Sequence, residues 1–311
     1  MTLSKGDSGK EVLKIQEFLK SYEPIGLLGQ DPSTFNFKEV ELDGFFGHDT
    51  EKAVKAFQKL NGLLDDGVIG PKTLSLMQLA STDKSEVFQS VKTDSLQINQ
   101  YHLPANEYLP ATGQKKKWIF LHHTAGGPNP YQTIDGWKND TRGPIATQYV
   151  MGGTSIQGNT EYDGLVVEAF PKGCSGWHLG NVGSRDLHIN SVGIEICNMG
   201  AVTNGKTYVG SNVIPAQIVN CEFRGFTQWH KYSDEQIKTL RNLLIHIGKA
   251  EDIDLQEGLP KMIRRSGIKA FEFSQDAFSG KVFGILSHTN VRKDKIDVFP
   301  QQELIDMLLS L

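Results

Sequence analysis

Two adjacent histidines end a short apolar segment at residues 117–123, Lys-Trp-Ile-Phe-Leu-His-His, and a glycine-containing turn follows. The aromatic and branched residues predict a buried strand, because such side chains pack well on a pleated surface. Side chains alternate between the two faces of a strand, so His122 and His123 cannot both face one site. A histidine at this position either holds a metal ion or makes a structural hydrogen bond, and this segment alone leaves both interpretations open.

A second apolar segment, 281–288, ends in the same way, with His288 where the strand opens into a loop. Asp297 follows nine residues later. Two neutral imidazoles and one carboxylate are a sufficient ligand set for a catalytic zinc ion, with water in the fourth position. His122, His288 and Asp297 are therefore candidate ligands if the two strands are neighbours in one sheet, which the sequence alone leaves open.

The segment 191–198 predicts a third strand, in which Ile194 and Ile196 share one face and Glu195 lies on the other. A carboxylate within an apolar strand requires an explanation, because an unpaired buried charge is energetically costly. Glu195 either faces solvent or acts as a general base beside a metal-bound water.

The composition is that of a globular protein, with 311 residues of which 38% are hydrophobic and 22% charged. The net charge of -4 argues against a nucleic-acid partner, and the lysine run at 115–117 is expected to be a solvated start of the strand. No apolar stretch approaches the roughly 20 residues that a membrane span needs. The three cysteines include no Cys-x-x-Cys pair, which argues against a disulfide framework or a thiolate zinc cluster.

Residues 95–311 alternate between strand-like and helix-like segments. This alternation predicts an α/β fold with a mixed central β-sheet flanked by helices. The clearest helix, 233–247, begins at a capping box formed by Ser233 and Gln236, and another helix is predicted over 301–311. Strands are predicted at 117–123, 147–152, 164–169, 191–197 and 281–287.

Residues 1–80 predict a small all-α unit. Apolar residues at helical spacing indicate a first helix capped by Asp7 or Ser8, a second from Thr50 and a third from Pro71. The polar residues 81–94 are the predicted linker to the second domain.

Two Asp-Gly-x-x-Gly turns, at 43–47 and 66–70, each precede a predicted helix and indicate an internal repeat. With the flanking glycines and apolar residues, this pattern resembles the three-helix peptidoglycan-binding domain. The segment departs from that family in its longer first loop, 22–41. The resemblance implies cell-wall binding, and a helical spacer without a ligand is the alternative.

The second domain carries a set of short motifs in a fixed order. Together they resemble the zinc-dependent N-acetylmuramoyl-L-alanine amidase family, whose fold is shared with peptidoglycan recognition proteins. The resemblance covers 95–311, with 200–230 and 251–280 as long insertions of unassigned role. The motifs are Ile-Phe-Leu-His-His-Thr-Ala-Gly-Gly at 119–127, Trp-His-Leu-Gly at 177–180, Ser-Val-Gly-Ile-Glu-Ile-Cys-Asn at 191–198, His288, and Lys295-x-Asp297.

Carried over to this chain, the resemblance implies that zinc is held by His122, His288 and Asp297. It implies that Glu195 is the base and that Lys295 stabilises the oxyanion. The implied substrate contacts are Trp177, His178, Thr124 and Asn198.

The function implied by the resemblance is zinc-dependent hydrolysis of the amide bond between N-acetylmuramic acid and L-alanine in bacterial peptidoglycan. A non-catalytic peptidoglycan receptor of the same fold and a zinc peptidase of the peptide crosslink are the alternatives. Receptors of this kind typically lose a zinc ligand, so the three filled positions favour an enzyme. Residues 1–7 have no apolar core like that of a signal peptide. We therefore expect synthesis in a cytoplasm and endolysin-like action on the wall after release or export by an unknown route.

Overall fold

The computed structural model describes residues 3–22, 35–61, 63–70, 73–74, 77, 96–138, 140–182 and 184–311. The chain divides into two compact units, Met1–Lys92 and Thr93–Leu311. The predicted linker, 81–94, lies outside the described residues, as does most of the long loop predicted over 22–41. Among the described helices, none is long and apolar enough to cross a membrane.

Two helices pack on one apolar core in the first unit, α1 (Lys10–Ser21) and α2 (His48–Leu60). The apolar spacing that predicted them is confirmed, since Ile15 and Phe57 are both buried. The predicted cap is wrong: Gly9 precedes α1 without a side-chain cap, and Asp7 instead accepts a hydrogen bond from the backbone of Ser4. Of the predicted third helix, only 73–74 and 77 are described, and they are helical.

The internal repeat has a physical basis in two buried glutamines. The Gln16 amide donates to the Asp43 carboxylate at 2.7 Å and accepts from the Gly44 backbone at 2.8 Å. Gln58 makes the same pair of bonds, both at 2.9 Å, with the equivalent turn at 66–67. Each glutamine therefore fixes one Asp-Gly turn ahead of a helix, because a buried amide must satisfy its donors and acceptors.

The second unit is built on a six-stranded sheet in the order β1-β4-β3-β5-β2-β9. Its neighbours are parallel except β3 and β4, so the predicted mixed sheet is confirmed. A separate antiparallel sheet has the order β6-β8-β7. The strands in chain order are β1 (Ile98–Gln100), β2 (Trp118–His123), β3 (Tyr149–Met151), β4 (Val166–Glu168), β5 (Ser191–Ile196), β6 (Ala201–Val202), β7 (Ile218–Phe223), β8 (Phe226–His230) and β9 (Gly284–Ser287).

Helices flank the main sheet on both faces, as the α/β pattern predicts. The predicted capping box of Ser233 and Gln236 is present at the start of the long helix α5, which packs under Ile119 and Leu121. The opposite face carries Phe120 and a smaller apolar cluster. The helices of this unit are α3 (Pro130–Lys138), α4 (Asp186–Ile189), α5 (Asp234–Glu251), α6 (Leu259–Ser266), α7 (Gln275–Phe278), α8 (His288–Val291) and α9 (Gln302–Leu309).

The two insertions are structured rather than irregular. The small sheet of β6, β7 and β8 lies within 200–230, and α6, a 3-10 turn (Gly267–Phe271) and α7 lie within 251–280. The lysine run at 115–117 also differs from expectation. Lys116 is buried, and its ammonium group donates to the backbone carbonyls of Cys174 and Ile189. It therefore ties the loop at Cys174 to the end of α4, next to the start of β2, instead of being solvated.

Candidate metal centre

The candidate metal ligands meet where β2 and β9 end side by side. These strands are parallel neighbours, with Leu121 opposite Ser287, so His122 and His288 emerge at the same edge of the sheet. The loop after α8 then brings Asp297 back to the two imidazoles, and its carbonyl accepts a hydrogen bond from the Thr289 backbone at 3.0 Å. Strand register thus answers the question that the sequence left open.

Three ligand atoms converge in a buried group formed by His122, His288 and Asp297. Asp297 Oδ2 lies 3.0 Å from His288 Nδ1 and 3.5 Å from His122 Nδ1. One ligand atom from each residue lies within 4.8 Å of the other two. Two nitrogens and one oxygen at this spacing are suited to a tetrahedral metal ion that keeps its fourth position open.

The protonation states favour this use of the site. Burial, and then the neighbouring His288, lower the pKa of His122 to about 4, so its imidazole is neutral at pH 7. Burial raises the pKa of Asp297 and is the largest single effect, but the neighbouring His288, His122 and His123 together outweigh it and hold the pKa well below its usual range. A neutral imidazole and an ionised carboxylate are the forms that bind metals.

A hydrogen-bonded chain fixes the tautomer of His122. Ser191 Oγ has one proton and two carbonyl neighbours, Leu187 and His188, so it donates to a carbonyl. Ser191 Oγ must then accept from His178 Nε2, which lies 2.8 Å away. His178 Nδ1 is consequently unprotonated and accepts from His122 Nε2 at 2.9 Å.

These hydrogen bonds leave His122 Nδ1 with a lone pair directed at the Asp297 carboxylate. Two electron-rich atoms 3.5 Å apart without a proton between them are the arrangement expected around a cation. The donor set and its outer hydrogen bonds therefore fit a metal ion. His178 and Ser191 act as outer residues that orient a ligand, and the sequence motif gave no indication of the Ser191 contact.

His123 lies on the opposite face of β2. Its Nδ1 is 2.9 Å from the hydroxyl of Tyr232, and it packs near Trp229 and Phe299 in the apolar core. The predicted division of the histidine pair between two faces is confirmed. His123 has the structural hydrogen bond that was one of the two interpretations of the motif.

Glu195 lies directly beside His122, because the two residues are paired in the register of β5 and β2. Burial raises the pKa of this carboxyl well above its usual range, and the charge of Asp297 adds to the rise. Glu195 is half-buried, and its position beside His122 favours the general-base alternative over the solvent-facing one. A carboxyl group with a raised pKa next to a metal-binding group is suited to accepting and returning a proton.

Lys295 stands at the edge of this cluster. It is half-buried, and its charge lowers the pKa of both Glu195 and His122, although burial has a larger effect on each. A cation in this position is close enough to interact with negative charge that develops near the two residues.

The predicted substrate contacts fall into two groups. Trp177 is half-buried, with Arg185 over its ring at 5.4 Å, and Thr124 is half-buried in the turn after β2. Asn198, by contrast, is 1% exposed, and its side-chain amide donates to the His230 backbone and accepts from that of Gly200. The expectation for Asn198 is therefore wrong, because it has no free group to offer a substrate.

Two family models match the chain. One, described as N-acetylmuramoyl-L-alanine amidase, matches residues 112–297, and the other, described as a putative peptidoglycan binding domain, matches residues 8–77. The matched ranges contain His122, Glu195 and Asp297 in the first case and both Asp-Gly turns in the second.

Relatives of known sequence match shorter parts of the chain. Zinc D-Ala-D-Ala carboxypeptidase of Streptomyces albus G is 34% identical over 87 residues, which is 28% of this chain and 30% of that protein. An uncharacterized protein of Kitasatospora aureofaciens is 34% identical over 80 residues, 26% of this chain and 58% of its own length. The chain thus spans less than two thirds of either relative.

Similarity to solved structures is distant. The N-acetylmuramoyl-L-alanine amidase LysC from Clostridium intestinale URNW superposes with a TM-score of 0.36 and 14% identity, covering 68% of this chain and 97% of that chain. A similarity of this extent carries no information about function.

Proposed function

This chain belongs to the N-acetylmuramoyl-L-alanine amidase family, and from this membership we propose that it hydrolyses the amide bond between N-acetylmuramic acid and L-alanine in bacterial peptidoglycan. The observation that carries the proposal is the buried group of His122, His288 and Asp297 with Glu195 beside it. A family member without catalysis would have no need to keep a half-buried carboxyl group adjacent to three converging ligand atoms.

Zinc is the proposed metal, held by His122 Nδ1, His288 Nδ1 and Asp297 Oδ2. This donor set of two imidazoles and a carboxylate is one that catalytic zinc sites use. When bound, zinc would supply Lewis-acid chemistry, which polarises an amide carbonyl and lowers the pKa of a water molecule to about 7.

Glu195 is the proposed general base and acid. Its carboxylate accepts the proton of the attacking water, and its raised pKa makes the protonated form stable enough to persist until the next step. Glu195 then transfers this proton to the alanine nitrogen as the carbon–nitrogen bond breaks. Lys295 contributes positive charge near the carbonyl oxygen, which becomes negative in the transition state.

Substrate positioning is assigned to the half-buried residues around this cluster. Trp177 presents an aromatic wall to the glycan or peptide, and Thr124 borders the site in the turn after β2. His178 supports His122 through its Nδ1 and remains half-buried, so it also lines the proposed groove. The N-terminal unit, matched by the peptidoglycan-binding model, is proposed to hold the enzyme on the cell wall.

Product analysis tests the proposal. Purified cell wall is incubated with the zinc-loaded protein, and soluble products are identified by mass spectrometry. Intact stem peptides with a free alanine amino group are expected. Shortened stems would indicate a peptidase instead, and the absence of soluble product would indicate a receptor.

Glu195→Gln is the matched control for this experiment. It preserves the size and shape of the side chain, but the amide cannot accept and return a proton. We expect bound zinc to remain and turnover to fall by roughly 10²–10⁴-fold, the range for loss of a general acid–base group. Full activity in Glu195→Gln would contradict the assigned role.

A further inference from the structure

Arg224 stands at the turn between β7 and β8, inside the insertion 200–230, and its side chain reaches the loop that precedes Asp297. Arg224 Nη1 donates to the carbonyls of Lys293 and Lys295, both at 2.8 Å. Longer contacts of 3.4 Å reach two further carbonyls, those of Arg292 and Thr289. One guanidinium therefore bonds to four carbonyls of a single segment.

This segment joins two of the proposed ligands, because it begins after His288 and ends before Asp297. It also carries Lys295, whose backbone carbonyl is among the four acceptors. The Arg224 side chain is 11% exposed, and its Nη2 pairs with Glu272 at 3.0 Å. A planar guanidinium with several donors in a fixed arrangement is suited to holding a loop in one conformation.

The backbone at Arg224 is unusual for this residue type. Arg224 and Gly225 form a two-residue hairpin turn with φ values of 48° and 83°. Turns of this kind favour Asn-Gly, because a side chain with a bulky Cβ substituent is strained at positive φ. The preferred pair occurs in another tight turn of this insertion, where Asn204 and Gly205 have φ values of 51° and 71°.

Backbone strain at a position where a less strained residue was available points to a role for the side chain. On these grounds we propose that Arg224 is a positioning residue, which holds segment 289–296 so that His288, Asp297 and Lys295 keep their spacing. The inference rests on the proposed function for the identity of the metal. The proposed role of the insertion 200–230 is to support the metal site from outside the main sheet.

Arg224→Asn tests this role. Asparagine suits the turn, so the hairpin is retained, but its short amide cannot reach the four carbonyls. We expect zinc affinity, measured by competition with a chelator, to fall by about 10–100-fold, the range found when an outer support of a metal site is removed. Arg224→Lys keeps the charge but not the planar arrangement of five donors, and an intermediate affinity is expected.

Hydrogen exchange provides a readout that does not depend on catalysis. In Arg224→Asn the backbone amides of 289–296 are expected to exchange faster, while those of α5 keep their protection. Arg265→Asn, an exposed arginine on α6, is the control for the same change of charge and should match the wild type.

Zinc affinity within twofold of the wild type in Arg224→Asn would overturn the proposal. So would faster exchange that extends equally through α5, because this would show a general loss of stability. If the wild-type protein released no stem peptides but the affinity and exchange results held, the proposed function would fail and the positioning role would stand. If stem peptides were released but Arg224→Asn bound zinc normally, the proposed function would stand and the positioning role would fail.

Discussion

The hydrogen bonds that link Ser191, His178 and His122 lead to a quantitative prediction for His178→Phe. Phenylalanine fills nearly the same space as the imidazole but cannot accept a hydrogen bond. His122 Nε2, now 2.9 Å from its acceptor, would lose the contact that fixes both its tautomer and its ring orientation. We expect the loss to weaken metal binding while the three ligand atoms themselves remain.

The magnitude follows from the burial of the two rings. Leaving a buried donor unpaired costs about 1–3 kcal/mol, and each 1.4 kcal/mol is tenfold in affinity, which gives roughly 5–150-fold. His122 is 2% exposed, but His178 is half-buried, so water can partly replace the lost acceptor. We therefore expect a loss near the lower part of this range, about tenfold.

The assay is zinc titration of the metal-free protein at pH 7 in competition with a chelator of known affinity. His246→Phe is the control, because it removes an exposed histidine from α5 and accounts for weak surface binding. Ser191→Ala should give a smaller loss in the same direction, since it removes the acceptor for His178 Nε2. An affinity within twofold of the wild type in His178→Phe would refute the tautomer chain.

Two further perturbations test other parts of the structure. His122→Ala should lose its bound metal, whereas His123→Phe should retain it and lower the free energy of unfolding by about 1–3 kcal/mol, because the buried hydrogen bond to the Tyr232 hydroxyl is lost. Equal metal loss by elemental analysis would contradict the face assignment. Burial lowers the pKa of Lys116 from 10.5 to about 8. The charged form of Lys116 therefore destabilises the folded state below pH 8, and this destabilisation disappears as the pH rises to 10.5. Between pH 8 and pH 10.5, the free energy of unfolding of the wild type, measured in urea, should rise by up to roughly 3 kcal/mol relative to that of Lys116→Met. A difference between the two proteins that does not change with pH would exclude the effect.

The main sheet and the ligand positions follow from the sequence because they depend on local patterns. Apolar runs ending in His122 and His288 predict two strands, and in parallel strands the carboxyl-terminal ends share one edge of the sheet. Alternation then assigns His123 to the other face. Which strands are neighbours is not local information, so only the structure could place His288 next to His122.

Alternation also contained a signal that the lysine run obscured. Lys116 is in phase with Trp118, Phe120 and His122, the residues on one buried face of β2, so period-two reasoning applied one step earlier predicts its burial. The misassignment of Asn198 has a different cause. It follows β5 where the regular alternation ends, and a motif position does not determine which way a side chain turns in a loop.

The insertion 200–230 shows why the supports of the site were less predictable than the ligands. Strand β6 has only two residues and β7 is interrupted by a register shift, so neither gives a clear period-two pattern. Arg224 acts through carbonyls about seventy residues away in the sequence, and a backbone acceptor leaves no trace in residue type. The turn offers the one available signal, since Arg-Gly occupies a position that favours Asn-Gly.

The site therefore combines two kinds of structural support. The sheet fixes the backbone positions of His122, Glu195 and His288, because adjacent parallel strands leave little freedom in register. The orientation of His122 depends on His178, and the path of the loop to Asp297 depends on contacts made by Arg224. Strand positions can be kept while loop contacts change, so a shared ligand pattern is compatible with different outer supports. Substitution of these supports should consequently alter metal affinity without removing any of the three ligands.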